Sequence, residues 1–108
     1  GDMPRLVEFF HSASKPSTDR IPSLNALAKK YDGKLHVIVV TRESRDKVAP
    51  ALADRSNLFY AGLDDAGKTF SAYGVRYLPF SVLIDAKGRT RWFGNSAHLT
   101  EEIINQNL

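Results

Sequence analysis

The groups whose types and spacing could do chemistry together in this 108-residue chain fall between residues 8 and 19: Glu8, His11, Ser14, Lys15, Ser17 and Asp19, with Pro16 between the serines. They lie where the apolar stretch Arg5-Leu6-Val7-Glu8-Phe9-Phe10 gives way to a helical pattern. A helix start leaves N–H groups unpaired and carries the positive end of the helix dipole, so it favours an anion. Two thiols three residues apart would close a disulfide there, the first of them held as a thiolate. Two serines cannot, because a hydroxyl is a far weaker acid and exchange proceeds only through the thiolate. Ser14-Lys15-Pro16-Ser17 taken alone reads as a capping loop, since Ser is a preferred N-cap and Pro suits the first helical turn. Ser14, His11 and Asp19 could be written as a hydrolytic set, but three local residues without an oxyanion hole do not make a triad.

Length and composition bound the rest. One domain of 108 residues can bury a real core, and 43% hydrophobic with 25% charged residues is ordinary globular composition. The formal charge is +3, with Lys and Arg scattered and not interleaved with aromatics, which argues against nucleic acid as a partner. No stretch approaches the roughly 18 apolar residues of a membrane span, and no signal peptide is read at the start. Three histidines without ligand spacing suggest no metal site, and no cofactor is expected. Residues 1–4 read as a tag remnant or linker and residues 5–108 as the domain. The expectation is that it is part of a longer chain, with an export signal or flanking domains outside it.

The elements that must position these groups follow from periodicity. Residues 5–10 read as a strand carrying Glu8, an acid that needs a partner if the strand is central. A helix follows from about residue 16 to residue 31, with Ile21, Leu24, Leu27, Ala28 and Tyr31 on one face and a kink expected just before Pro22. Residues 35–40 form a run apolar enough to be buried on both faces. Residues 44–53 read as a helix containing Pro50, with Val48 and Leu52 inward, and residues 57–61 as a short strand. Asp64 and Asp65 cap a helix through Tyr73, which Gly74 stops. Residues 78–85 read as a strand, Asp85-Ala86-Lys87-Gly88 as a hairpin turn, and residues 90–93 as its partner, broken by Gly94. Thr100 caps a last helix with Ile103, Ile104 and Leu108 inward. The order β-α-β-α-β-α-β-β-α predicts an α/β mixed sheet, parallel strands plus a C-terminal antiparallel hairpin, with helices on both faces.

That order, together with three separated motifs, resembles the thioredoxin fold and more closely its TlpA/ResA-like thiol–disulfide oxidoreductases. Phe10 through Pro22 is similar to the family's aromatic-x-x-x-Cys-x-Pro-Cys-x-x-x-x-Pro run, with Ser14 and Ser17 at the cysteine positions. Tyr73-Gly74-Val75-Arg76-Tyr77-Leu78-Pro79-Phe80 is similar to Tyr-Gly-Val-x-x-x-Pro-Thr, and Leu83-Ile84-Asp85 followed by Lys87-Gly88-Arg89 to Leu-Ile-Asp-x-x-Gly-Arg. The match runs over about residues 5 to 107. The resemblance implies that Pro79 is a cis-proline and that the Leu78 backbone grips an extended substrate. It implies that Glu8 is a buried acid relaying a proton to the second sulfur. It also implies a protein or peptide partner at a surface of Ala13, Ser14, Lys15, Pro16, Leu78 and Pro79, and an extracytoplasmic setting. The chain departs from the pattern in lacking both sulfurs, in having Ala13 where tryptophan is usual, and in having His11 where a small residue is usual.

Two functions follow from different classes. In one, the serines are natural, the domain is redox-inactive, and it serves as a docking module of an exported protein. In the other, the natural protein is a working thiol–disulfide oxidoreductase in which the two cysteines were changed to serine. The typical Lys15, Pro16, Glu8 and Pro79 favour the second, the atypical His11 and Ala13 the first.

Overall fold

The computed structural model describes residues 3–52 and 58–108. Gly1 and Asp2 of the expected tag remnant or linker, the helix end at Ala53 and the strand start at Asn57 lie outside them. Among the described residues five strands form one sheet: β1 Arg5–Phe10, β2 His36–Thr41, β3 Tyr60–Leu63, β4 Phe80–Ile84 and β5 Thr90–Asn95, in the order β3-β2-β1-β4-β5. β1 runs parallel to β2 and antiparallel to β4; β2 and β3 are parallel, and β4 and β5 antiparallel. The helices are α1 Lys15–Thr18, α2 Ile21–Lys30, α3 Arg45–Leu52, α4 Lys68–Ala72 and α5 Glu101–Asn105, with one 3-10 turn at Ser96–His98. The expected α/β mixed sheet is therefore present.

Alternation along β1 divides the core between the two faces of the sheet. Leu6 and Phe10 join Leu24 and Ala28 of α2, Val48 of α3 and Ile104 of α5. Val7 and Phe9 join Val40, Phe80, Val82 and Ile84, over which Phe70 of α4 packs with its ring edge-on to Phe9 at 4.9 Å. Between Leu6 and Phe10 the alternation also turns Glu8 inward, on the α2 side.

Several elements differ from expectation for local reasons. The helix read as one piece is two, interrupted at Asp19 and Arg20. Pro22, which has no N–H, occupies the second position of α2, where none is needed. Within the described residues the third strand runs Tyr60–Leu63, beginning and ending two residues later than the described part of the expected strand, because the Leu58 N–H goes to Asn25 Oδ1 and the ladder with β2 opens at Tyr60. α4 starts at Lys68, four residues after the first predicted cap, yet the Asp64 carboxylate still accepts from the N–H groups of Thr69 and Phe70. Gly94 does not break β5; at φ 149° it continues the strand opposite Ser81. Leu108 is not inward but 49% exposed, and Ile104 is the buried residue of α5.

Leu24 is fully buried against β1 and β2, so Leu24→Ala is expected to cost about 2–5 kcal/mol in urea unfolding. Leu108→Ala is expected to stay within about 0.5 kcal/mol of the parent.

Candidate functional site

The sheet register collects the chemistry-bearing segments at one edge. Phe10 pairs with Thr41 across the parallel ladder and Phe9 with Phe80 across the antiparallel one. The chain leaving β1 toward Ser14, the chain leaving β2 toward Glu43 and the chain entering β4 from Pro79 therefore share the carboxyl-terminal edge of the parallel strands. Asn95, opposite Phe80, ends β5 there too, and the Ser96 N–H donates to the Pro79 carbonyl at 3.3 Å. The edge of a parallel arrangement is where α/β folds hold ligands.

Ser14 is the N-cap of α1, its hydroxyl accepting from the Ser17 N–H at 3.3 Å. Ala13, Lys15 and Pro16 are exposed beside it, Leu78 is half-buried and Pro79 buried, and the Leu78-Pro79 peptide is cis. Lys15 is paired with the Asp19 carboxylate at 2.9 Å, one helical turn on. His11 Nδ1 accepts from the Ala13 N–H at 3.0 Å. Ser14, His11 and Asp19 are thus each engaged elsewhere, and no hydrolytic set is assembled.

Beneath this loop lies a buried polar cluster. Glu8 is 1% exposed. Its Oε2 accepts from Arg20 Nε at 3.1 Å, and its Oε1 accepts from the Ser81 hydroxyl and from Ser96 Oγ at 2.9 Å. Arg20 reaches it because the break between α1 and α2 sets that residue off the regular helix. Ser17, also 1% exposed, has a hydroxyl with no hydrogen-bond partner. A buried orphan hydroxyl is unfavourable, whereas a small sulfur-bearing side chain is at home in such a niche.

Glu43, after β2, is the acid that sequence reasoning missed. It is 8% exposed, and it ties the loop to β2 by accepting from the Ser12 N–H at 2.8 Å, the Ser12 hydroxyl and the Thr41 hydroxyl at 2.8 Å. His11 Nδ1 stands 3.9 Å from it. Burial pushes the Glu43 carboxyl up, but the Ser12 and Thr41 hydrogen bonds and the neighbouring His11 outweigh it and hold the group below its ordinary 4.5. Arg20, Ser81 and Ser96 were missed as well. Only Pro22, which marks the helix break, hinted at Arg20. Among the described residues no three His, Asp or Glu side chains converge as metal ligands, and no helix is long and apolar enough to cross a membrane.

The chain is similar to known proteins at this level of detail. It is 30% identical over 86 residues to the thioredoxin-like protein YneN of Bacillus subtilis, covering 77% of this chain and 51% of the relative. It is 34% identical over 85 residues to the thiol:disulfide interchange protein CycY of Rhizobium leguminosarum, covering 77% and 45%. The chain thus spans about half the length of these curated relatives. Among solved structures it superposes on a candidate thiol:disulfide interchange protein DsbE of Chlorobium tepidum with a TM-score of 0.88 at 24% identity, covering 98% and 80% of the two chains. With the exposed lipoprotein thioredoxin Etrx1 of Streptococcus pneumoniae the TM-score is 0.82 at 19% identity, covering 97% and 82%. No family model matches the chain. Its fold is the thioredoxin fold, and its sequence is similar to a thioredoxin-like protein and to a thiol:disulfide interchange protein.

Two measurements check the site's energetics. Ser17→Ala, which removes the orphan hydroxyl, is expected to raise unfolding free energy by about 1 kcal/mol, read as a higher urea midpoint at unchanged slope. For Glu43 the sign follows from its lowered folded value. The stabilisation is complete above about pH 4.5 and is lost as pH falls through that lower value. Glu43→Gln should therefore be less stable than the parent at neutral pH, and the gap should close on acidification; a constant gap would contradict the assignment.

Proposed function

We propose that this chain is a redox-silent, thioredoxin-fold docking domain that holds an extended protein or peptide segment at the edge shared by Ser14 and Pro79. One observation carries the reading. A chain with no cysteine keeps a capped helix start at Ser14, with Ala13, Lys15 and Pro16 exposed beside the Leu78-Pro79 loop. Leu78 lies just before β4, and on this reading its backbone pairs with the docked segment as with an added strand, the mode by which extended peptides gain main-chain hydrogen bonds. The atypical His11 and Ala13 support this reading, as does Arg20 on Glu8, which commits the buried acid to an ion pair. An extracytoplasmic location in a longer parent protein goes with it, and the exposed lipoprotein among the fold neighbours supports that setting.

A second reading is favoured by Ser17. Its buried, unpartnered hydroxyl fits a niche shaped for a sulfur, as in a working oxidoreductase whose cysteines at positions 14 and 17 were changed. Glu8 would then relay a proton to the inner sulfur. The double variant Ser14→Cys/Ser17→Cys separates the two. On the docking reading its disulfide is ill-defined or sluggish, and insulin reduction runs no faster than with dithiothreitol alone. A well-defined reduction potential with rapid turnover would overturn that reading in favour of the oxidoreductase.

A further inference from the structure

Past the Ser14 loop, the same sheet edge carries a groove in two parts that meet at Arg42. One part, about 500 Å3, is lined by His11, Arg42, Glu43, Lys47 and Asp65 among others. The other, about 520 Å3, follows α4 and is lined by Arg42, Phe70, Gly74 and Arg76 among others. Charge is unevenly available along it. Glu43 is turned into the protein, its oxygens taken by Ser12 and Thr41, which leaves Asp65 beside Arg42 and Lys47 in the lining of the first part. Asp64, whose carboxyl Arg42 also helps to hold below its ordinary value, is committed to the N–H groups of Thr69 and Phe70. The lining of the second part holds two arginines and no carboxylate.

Arg42 is also laid in place. Its guanidinium lies 6.0 Å over the Phe70 ring, which itself stacks edge-on against buried Phe9. Gly67, buried at φ 70°, makes the room: a Cβ there would come within 3.0 Å of Arg42 Nε. A planar guanidinium held between an aromatic ring and a glycine is partly pre-organised and suits the geometry of a carboxylate.

Resting on the docking reading above, we propose that the segment docked at this edge is acidic, with one of its carboxylates seated on Arg42. The positive groove selects such a partner by complementarity, which acts on specificity and encounter rate.

The test is a titration of the 15N-labelled chain with three defined probes of equal length: an alternating Glu/Leu peptide, the corresponding Lys/Leu peptide, and oligothymidine. The acidic peptide is expected to shift amides at 42–47 and 66–76, and the basic one not to. Its affinity should drop as salt rises from about 20 to about 300 mM, since screening shortens the reach of exposed charges. Arg42→Gln should weaken it about two- to fivefold, the size of an exposed ion pair, and Arg76→Gln should also weaken it. Lys30→Gln on α2 should leave it unchanged. Equal binding of both peptides, no shift in the groove, or indifference to both arginine variants would overturn the acidic partner. So would oligothymidine binding more tightly than the acidic peptide, which would make the groove a nucleic-acid surface. Shifts confined to 13–17 and Leu78, alike for the two peptides, would remove the acidic partner while leaving the docking edge standing. A fast, well-behaved disulfide in the cysteine-containing double variant would remove the docking reading by a separate route.

Discussion

The buried carboxylate of Glu8 constrains more of this molecule than any other group. An ion placed in the middle strand of a sheet loses several kcal/mol of hydration, and only partners inside the protein can offset that. Those partners come from three places: Arg20 at the junction of α1 and α2, Ser81 on β4 and Ser96 after β5. The broken first helix, the antiparallel approach of β4 and the return of the chain after β5 all converge on one pair of oxygens. The Ser96 N–H that holds the Pro79 carbonyl belongs to the same residue whose hydroxyl serves Glu8. The floor of the site and its rim are thus one structure.

Much of the fold could be read in the sequence because its determinants are local. β1 has the bounds that its apolar run suggested, and the Thr100 cap donates no surprise: its hydroxyl accepts from Ile103 as the capping pattern requires. The turn at Asp85 is closed by the Gly88 N–H, with Gly88 at φ 85°. The partners of Glu8 are a different matter. They lie 12, 73 and 88 residues away, and nothing about a serine in an apolar strand announces that it faces a carboxylate. Glu43 escaped for the same reason, its Ser12 contacts spanning 31 residues. Gly94 was misread because a glycine in a strand pattern signals either a break or a continuation with unusual φ, and only the pairing with Ser81 decides.

The site also shows how scaffold and chemistry part company. Ser14 caps a helix well, and nothing about the fold needs a sulfur at that position. Ser17 is less comfortable, buried with its hydroxyl unanswered. The two serines are thus served unequally by the same scaffold: the hydroxyl of one closes a helix end, and that of the other is enclosed without a partner.

The pairing of β1 with β4 has a consequence for how the chain is made. Residues 5–10 leave the ribosome well before residues 80–84, which form one of their two sheet partners. Until that segment emerges, the middle strand has an open flank and Glu8 lacks two of its three hydrogen-bond donors. Between the two events the domain is an unfinished sheet, exposed to the wrong pairings that long-range topologies invite. The middle strand can gain its second flank, and Glu8 its serine partners, only once the C-terminal hairpin is available.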